Sequence, residues 1–139
     1  MGYDSYVSGS AKGKNLVPQL LEQGLQREDQ ELNSATGYFT GAMVVDDETI
    51  AGIEDWRHCY DFSDLIQALH RVEGLETVGF YREGESNDDV EGYRYVAGCW
   101  YSLIRIDLYV QEAQTAAAEE AIGKAVAPFA PPPAASTGQ

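Results

Sequence analysis

Basic residues are scarce in this chain. Nine Lys and Arg stand against 23 Asp and Glu, a formal net charge of -14 with a pI near 4.2. That shortage excludes a basic patch, and with it direct binding to nucleic acid or an anionic membrane. Cysteine is scarce as well. Cys59 and Cys99 are too few for a disulfide framework, and one bridge would need the fold to bring them together. Two histidines and two cysteines give no C-x-x-C and no H-x-x-x-H spacing, which excludes a zinc site of the usual kind. No apolar run approaches the roughly 18 residues of a membrane helix. The longest, over 97–110, is interrupted by Ser102, Arg105 and Asp107. The opening Met1-Gly2-Tyr3-Asp4-Ser5-Tyr6 has no basic n-region, and Tyr6 stands where myristoylation wants Ser or Thr. The expected object is cytoplasmic, with both thiols free.

Several motifs are also missing. There is no G-x-x-x-x-G-K-S/T, no G-x-G-x-x-G and no G-x-S-x-G. The sequence therefore predicts no catalytic residues, no cofactor and no metal. The nearest approach to a calcium loop is Asn87, Asp89 and Glu91 followed by Gly92. Position 12 of such a loop would be Gly98, where a bidentate Glu is required.

What is present is an ordinary globular composition, 44% hydrophobic over 139 residues. That length predicts one domain over 1–127. Residues 128–139, rich in Pro and Ala, predict a disordered or extended tail. The charge is uneven. Residues 46–91 hold 14 acids and 3 bases, most of the net charge of the chain.

Patterning predicts a strand over 3–9, ended by Ser8-Gly9-Ser10 and Lys12-Gly13-Lys14. Asn15 would cap a short helix with Pro18 in its first turn and Leu16, Leu20 and Leu21 facing the core. The stretch 27–31 reads as solvated surface. Strands over 38–45 and 50–56 form a hairpin about Asp46-Asp47-Glu48. The strongest helix signal runs over 62–73: Phe62, Leu65, Ile66, Leu69 and Val72 form one stripe. Asp61 precedes it as N-cap and Gly74 follows as C-cap. Strands over 76–83, 91–97 and 101–110 follow, with an acidic loop at 84–89 and a turn or bulge at Gly98. An Ala-rich helix is expected over 115–127. The predicted fold class is α+β, an antiparallel sheet including a C-terminal meander, covered on one face by the amphipathic helix.

Two clusters carry chemistry. In Trp56-Arg57-His58-Cys59-Tyr60-Asp61, a Cys–His pair invites a thiol- or His-dependent hydrolase, with His58 or His70 as the base. Neighbours in an extended chain point to opposite sides, so His58 is badly placed to activate Cys59. The second cluster is acidic and aromatic. Asp46, Asp47, Glu48, Glu83, Glu85, Asp88, Asp89 and Glu91, with Glu54 and Asp55, would steer the protein to a basic partner surface. Tyr93 and Tyr95 would add contact area, since Tyr and Trp are enriched at interface hot spots.

Met1-Gly2-Tyr3 with Val7 and Gly9, Tyr60-Asp61 before the helix, Gly79-Phe80, Glu83-Gly84-Glu85, and Asp89 with Arg94 and Val96 form a pattern. It resembles a family of small actinobacterial and actinophage proteins, a domain of unknown function opening with Met-Gly-Tyr. The resemblance is concentrated over 60–110. The Trp-Pro-Asp that closes the last strand in that family is replaced here by Val110-Gln111-Glu112. It implies a source and an architecture, and no catalytic residues. Taken together, these features predict a small acidic, non-catalytic accessory protein, phage-encoded in origin, that docks on a protein partner. The alternatives are a nucleic-acid-mimicking inhibitor of a DNA- or RNA-binding protein, a small thiol- or His-dependent hydrolase, and a virion structural component.

Overall fold

The computed structural model describes residues 3–86, 89–106, 109–114 and 126–127. In chain order the elements are β1 (Ser5–Gly13), α1 (Leu16–Glu22), β2 (Gln26–Glu28), β3 (Glu31–Asn33), β4 (Phe39–Asp46), β5 (Thr49–Gly52), β6 (Trp56–Arg57), α2 (Phe62–His70), β7 (Leu75–Gly84), β8 (Val90–Val96), β9 (Cys99–Ile106), β10 (Tyr109–Gln114) and β11 (Val126–Ala127). Among the described residues the architecture is mostly antiparallel sheet with two helices, compatible with the α+β class. Among the described residues the strands form one sheet in the order β11-β10-β9-β8-β7-β1-β5-β4-β3-β2, with β6 paired to β1 beside β5.

β1 is the spine. One edge pairs with β7 from Ser5↔Gly84 to Lys12↔Thr77. The other pairs with β6 at Ser5↔Arg57 and Tyr6↔Trp56, then with β5 from Ser10↔Ala51 to Lys12↔Thr49. The break expected at Ser8-Gly9-Ser10 does not occur. Gly9 sits at φ 104, and a Cβ there would fall on the Gly79 carbonyl oxygen. Its glycine serves a close approach of two strands rather than a stop.

Ser5, Val7 and Ala11 of β1, Val78 and Phe80 of β7, and Tyr93 and Trp100 of β8 and β9 point to one side and are buried. α2 lies against that side: the Phe62 ring meets Phe80 at 6.2 Å and Tyr93 at 6.3 Å, and His70 stacks on Trp100 at 4.0 Å. Phe62, Leu65, Ile66 and Leu69, four members of the predicted stripe, are at most 2% exposed. Each such burial stabilises by roughly 1.5–3 kcal/mol. The helix stops at His70, short of the expected 73, and Gly74 takes φ 79 in the connection to β7. α1 buries Leu16, Val17 and Leu20, whereas Leu21, expected in the core, is 37% exposed. Neither expected N-cap bonds its own helix through its side chain. Asn15 is left-handed at φ 52, and the Asp61 carboxylate accepts instead from Ser34 Oγ and, at 3.0 Å, from Thr36 Oγ1.

Other expectations are extended or corrected. The solvated surface expected over 27–31 is found, with 27–30 exposed, and the stretch also belongs to a hairpin, β2 with β3, that was not expected. The strand read over 50–56 is two pieces, β5 and β6, because Glu54 turns the chain at φ 58. That read over 101–110 is also two, β9 and β10, paired antiparallel. The Ala-rich helix expected over 115–127 lies outside the described residues except for its last two, which form β11 on β10. The tail at 128–139 lies outside the described residues. No helix among the described residues is long and apolar enough to cross a membrane.

Candidate functional site

The N-terminal end of β1 gathers the chemistry. Register places Ser5 beside Gly84 on β7 and Arg57 on β6, so this end of the spine meets both the β7–β8 loop and the β6–α2 connection. Between them is a cleft of about 240 Å³ lined by Tyr3, Ser5, Cys59, Tyr60, Phe62, Ser63, Arg82, Asp89 and Glu91.

Arg82 forms its floor. Its side chain is only 12% exposed. Nε donates to Glu91 Oε2 at 2.7 Å, Nη2 to Asp89 Oδ1 at 2.5 Å and Nη1 to Ser5 Oγ at 2.8 Å. The partners are themselves held. Tyr3 Oη donates to Asp89 Oδ2 at 2.6 Å, and Tyr93 Oη donates to Glu91 Oε1 at 3.2 Å. Burial by itself would raise the Asp89 pKa. The hydrogen bonds from Arg82 and Tyr3, with the Arg82 charge, outweigh it and hold Asp89 below the usual carboxylate value. Burial would likewise lower Arg82, and Asp89 and Glu91 reverse that and raise it.

Around this end of β1 the surface carries acidic and aromatic side chains. Asp4 lies 2.6 Å from His58 Nδ1, and its backbone N–H donates to Glu85 Oε2 at 2.6 Å. Tyr60, 52% exposed, is flanked by His58 at 5.7 Å and by Tyr38 edge-on at 5.9 Å. Trp56 and Tyr6 pack together at 5.6 Å on the opposite face of β1, because Tyr6 alternates with the inward Ser5 and Val7.

Cys59 is buried, with Sγ 3.9 Å from the Ser5 carbonyl. Burial pushes its thiol up to about 11, against smaller opposing effects of Arg57 and Arg82. It is therefore a thiol at neutral pH and not a nucleophile. His58 turns to Asp4. Cys99 is half-buried on β9, and both cysteines are free.

The predicted acidic rim is not one rim. Asp46, Asp47 and Glu48 lie at the far end of β1, where Gly13 N–H donates to the Glu48 carbonyl at 3.0 Å and Val17 N–H to that of Asp47 at 2.9 Å. β1 is nine residues long, so roughly 25 Å of strand separates them from the cleft. Glu83, Glu85, Asp89 and Glu91 do share the cleft end, along with Glu54, whose N–H bonds the Val7 carbonyl, and Asp55. Asp88 lies outside the described residues. Tyr93 is 7% exposed and Tyr95 packs against the core, so their rings serve the interior. Sequence reading missed Tyr3, Tyr38 and Tyr60 as the surface aromatics and Arg82 as the organising cation. None of them obeys a periodicity. Tyr3 and Asp89 meet from 86 residues apart, and nothing local foretells it. The only hint was that Tyr60 falls outside the apolar stripe that begins at Phe62.

Comparisons of the chain with family models, with curated proteins and with solved structures returned no match.

Proposed function

We propose that this chain is a small, non-catalytic binding protein that docks on a protein partner with a basic surface through the cleft end of its sheet. The observation that carries the reading is the exposed ring group Tyr38–Tyr60–His58 standing beside Asp4 and Glu85. Exposed aromatic groups rimmed by polar residues are typical of contact surfaces, because they bury much area at low entropic cost. The surrounding carboxylates favour a basic counterpart and would speed encounter. The raised Cys59 thiol speaks against the thiol hydrolase. Two acidic ends roughly 25 Å apart give less support to nucleic-acid mimicry than one continuous acidic face would. The same reading takes the protein as an α+β domain with a C-terminal meander and a helix-covered face, of actinobacterial or phage origin.

The test is capture by tagged protein at low and moderate salt, run in parallel with a Tyr38→Ala/Tyr60→Ala variant. A protein bound by the wild type should be lost with the double variant, while the circular dichroism spectrum and Tm stay unchanged. Equal capture by both, or no specific species at either salt, would overturn the reading.

A further inference from the structure

We propose that the outer face of the sheet, turned away from α2, is the docking surface of the chain's own segment 128–133, Pro-Phe-Ala-Pro-Pro-Pro. The core that both helices join takes Val7, Ala11, Val78, Phe80, Tyr93 and Trp100 from one side of these strands. Alternation gives the other side Tyr6, Tyr81, Arg94 and Tyr101. Register sets them on a diagonal. Tyr6 is opposite Trp56 on β6, Tyr81 is opposite Ser8, and Arg94 and Tyr101 stand level with Ser10. Trp56 and Tyr6 pack at 5.6 Å, and the Arg94 guanidinium lies 5.2 Å from the centre of the Tyr101 ring. Gly79 and Gly92 open the ground between the rings, and a Cβ on Gly79 would meet nothing within 4 Å. The charged residues that alternation places there on β1, β7 and β8 are Lys12, Glu83 and Arg94, so this face escapes the acidity of the chain.

Three observations name the occupant. The first is composition. The segment carries no charge and offers Phe129 and four prolines. A proline run is preformed as a polyproline II helix, loses little entropy on docking and packs its rings on aromatic-lined surfaces. The second is position. β11 ends at Ala127, opposite Glu112 on β10. The sheet order from there is β10, β9, β8, β7. Tyr101 on β9 is therefore two strand spacings away, roughly 10 Å, and Tyr81 on β7 four, roughly 19 Å. At ~3.1 Å per residue, Phe129 stands about 6 Å beyond Ala127 with its ring reaching on to Tyr101, and Pro133 stands roughly 19 Å beyond, level with Tyr81. The third is the choice of face. A chain leaving the edge strand can turn to either side of the sheet. The inner side is filled, at Trp100 by His70 and at Tyr93 by Phe62. On the outer side neither helix packs, yet Gly92 is buried and Tyr6, Tyr81 and Tyr101 are half-buried.

The test is NMR on the full chain. Nuclear Overhauser contacts should join the Phe129 ring to Tyr101, and the δ protons of 131–133 to the Tyr81 ring. The backbone order parameters of Phe129 and Ala130 should be near the ~0.85 of rigid backbone, and Tyr81→Ala/Tyr101→Ala should drop them below ~0.6. Phe129 lies beyond the last described strand, so Phe129→Ala tests the contact even if the double variant fails to fold. It should shift the amides of Gly92, Arg94 and Tyr101 and leave those of Leu65 and Ile66 in place. A mixture of isotope-labelled and unlabelled chains separates copies, and the contacts should all arise within one chain. The inference is overturned by order parameters below ~0.6 for Phe129 and Ala130 in the wild type, or by high values that survive the folded double variant. It is equally overturned if the Phe129→Ala shifts miss this face, or if the contacts cross between chains, which would seat a second copy's segment there. The Tyr38–Tyr60–His58 group takes no part, so failure here leaves the docking reading standing, and failure of partner capture leaves this inference standing.

Discussion

At the scale of single residues, burial decides the chemistry. Cys59 was the one candidate nucleophile, and desolvation holds it as a thiol up to about 11. At pH 7 its thiolate fraction is about 100-fold below that of a thiol at the ordinary value of 9.0. An aromatic disulfide reagent should therefore label Cys99 promptly and Cys59 only on unfolding. Rapid labelling of Cys59 in the folded protein would refute this. The same shift has a stability consequence. A folded pKa above the unfolded one gives stability that is complete below about pH 9 and lost as pH rises towards 11. The loss is at most about 3 kcal/mol. Cys59→Ala should flatten Tm between those pH values. Tyr93, raised by burial and by Glu91, adds to the loss in the same direction. Asp89 has the opposite sign. Its pKa is lowered, so its contribution is present above about 3.8 and lost as pH falls through the folded value. Asp89→Asn should shallow the acid limb of the stability curve. Arg82→Met, which strands two carboxylates, should cost about 2–3 kcal/mol at neutral pH in urea unfolding.

At the scale of elements, turns set what the strands can do. β8 and β9 are joined by two residues only, with Val96 paired to Cys99. Ala97 and Gly98 both have positive φ, 53 and 81, the requirement of a type I′ hairpin turn. Gly meets it without strain, and Ala does not. Ala97→Asn should therefore stabilise by about 0.5–1 kcal/mol, read as a higher urea midpoint with unchanged m. A lower midpoint would show that the turn is not the strained link. β2 makes a different point. Its three residues, Gln26, Arg27 and Glu28, are all exposed at the end of the sheet order. Charge on an edge strand discourages pairing with a second chain.

At the scale of the whole molecule, two acidic groups, Asp46-Asp47-Glu48 and the carboxylates around Glu85 and Asp89, stand at opposite ends of one spine strand. The separation of roughly 25 Å is shorter than the ~30 Å Debye length at 0.01 M salt and longer than the ~8 Å at 0.15 M. Repulsion between the ends is therefore felt in dilute buffer and screened at physiological strength. Tm should rise as salt increases over that range, and the Asp46→Asn/Asp47→Asn/Glu48→Gln variant should show a smaller rise. A Tm independent of salt in the wild type would mean that the acids do not act at a distance.

What the sequence determined by itself is whatever depends on near neighbours. The 3.6-residue stripe from Phe62 to Leu69, the alternation along the strands, the Asp46–Glu48 turn and the lack of any zinc or nucleotide motif are all local, and all were legible. The tertiary structure decided what depends on register. Pairing Ser5 with Gly84 brings Tyr3 to Asp89 and Arg82 to Ser5, and it carries Asp46, Asp47 and Glu48 to the other end. A chain that alternates in and out states which face a residue takes. It does not state which distant strand lies alongside, because that choice is made by the summed packing of the entire sheet.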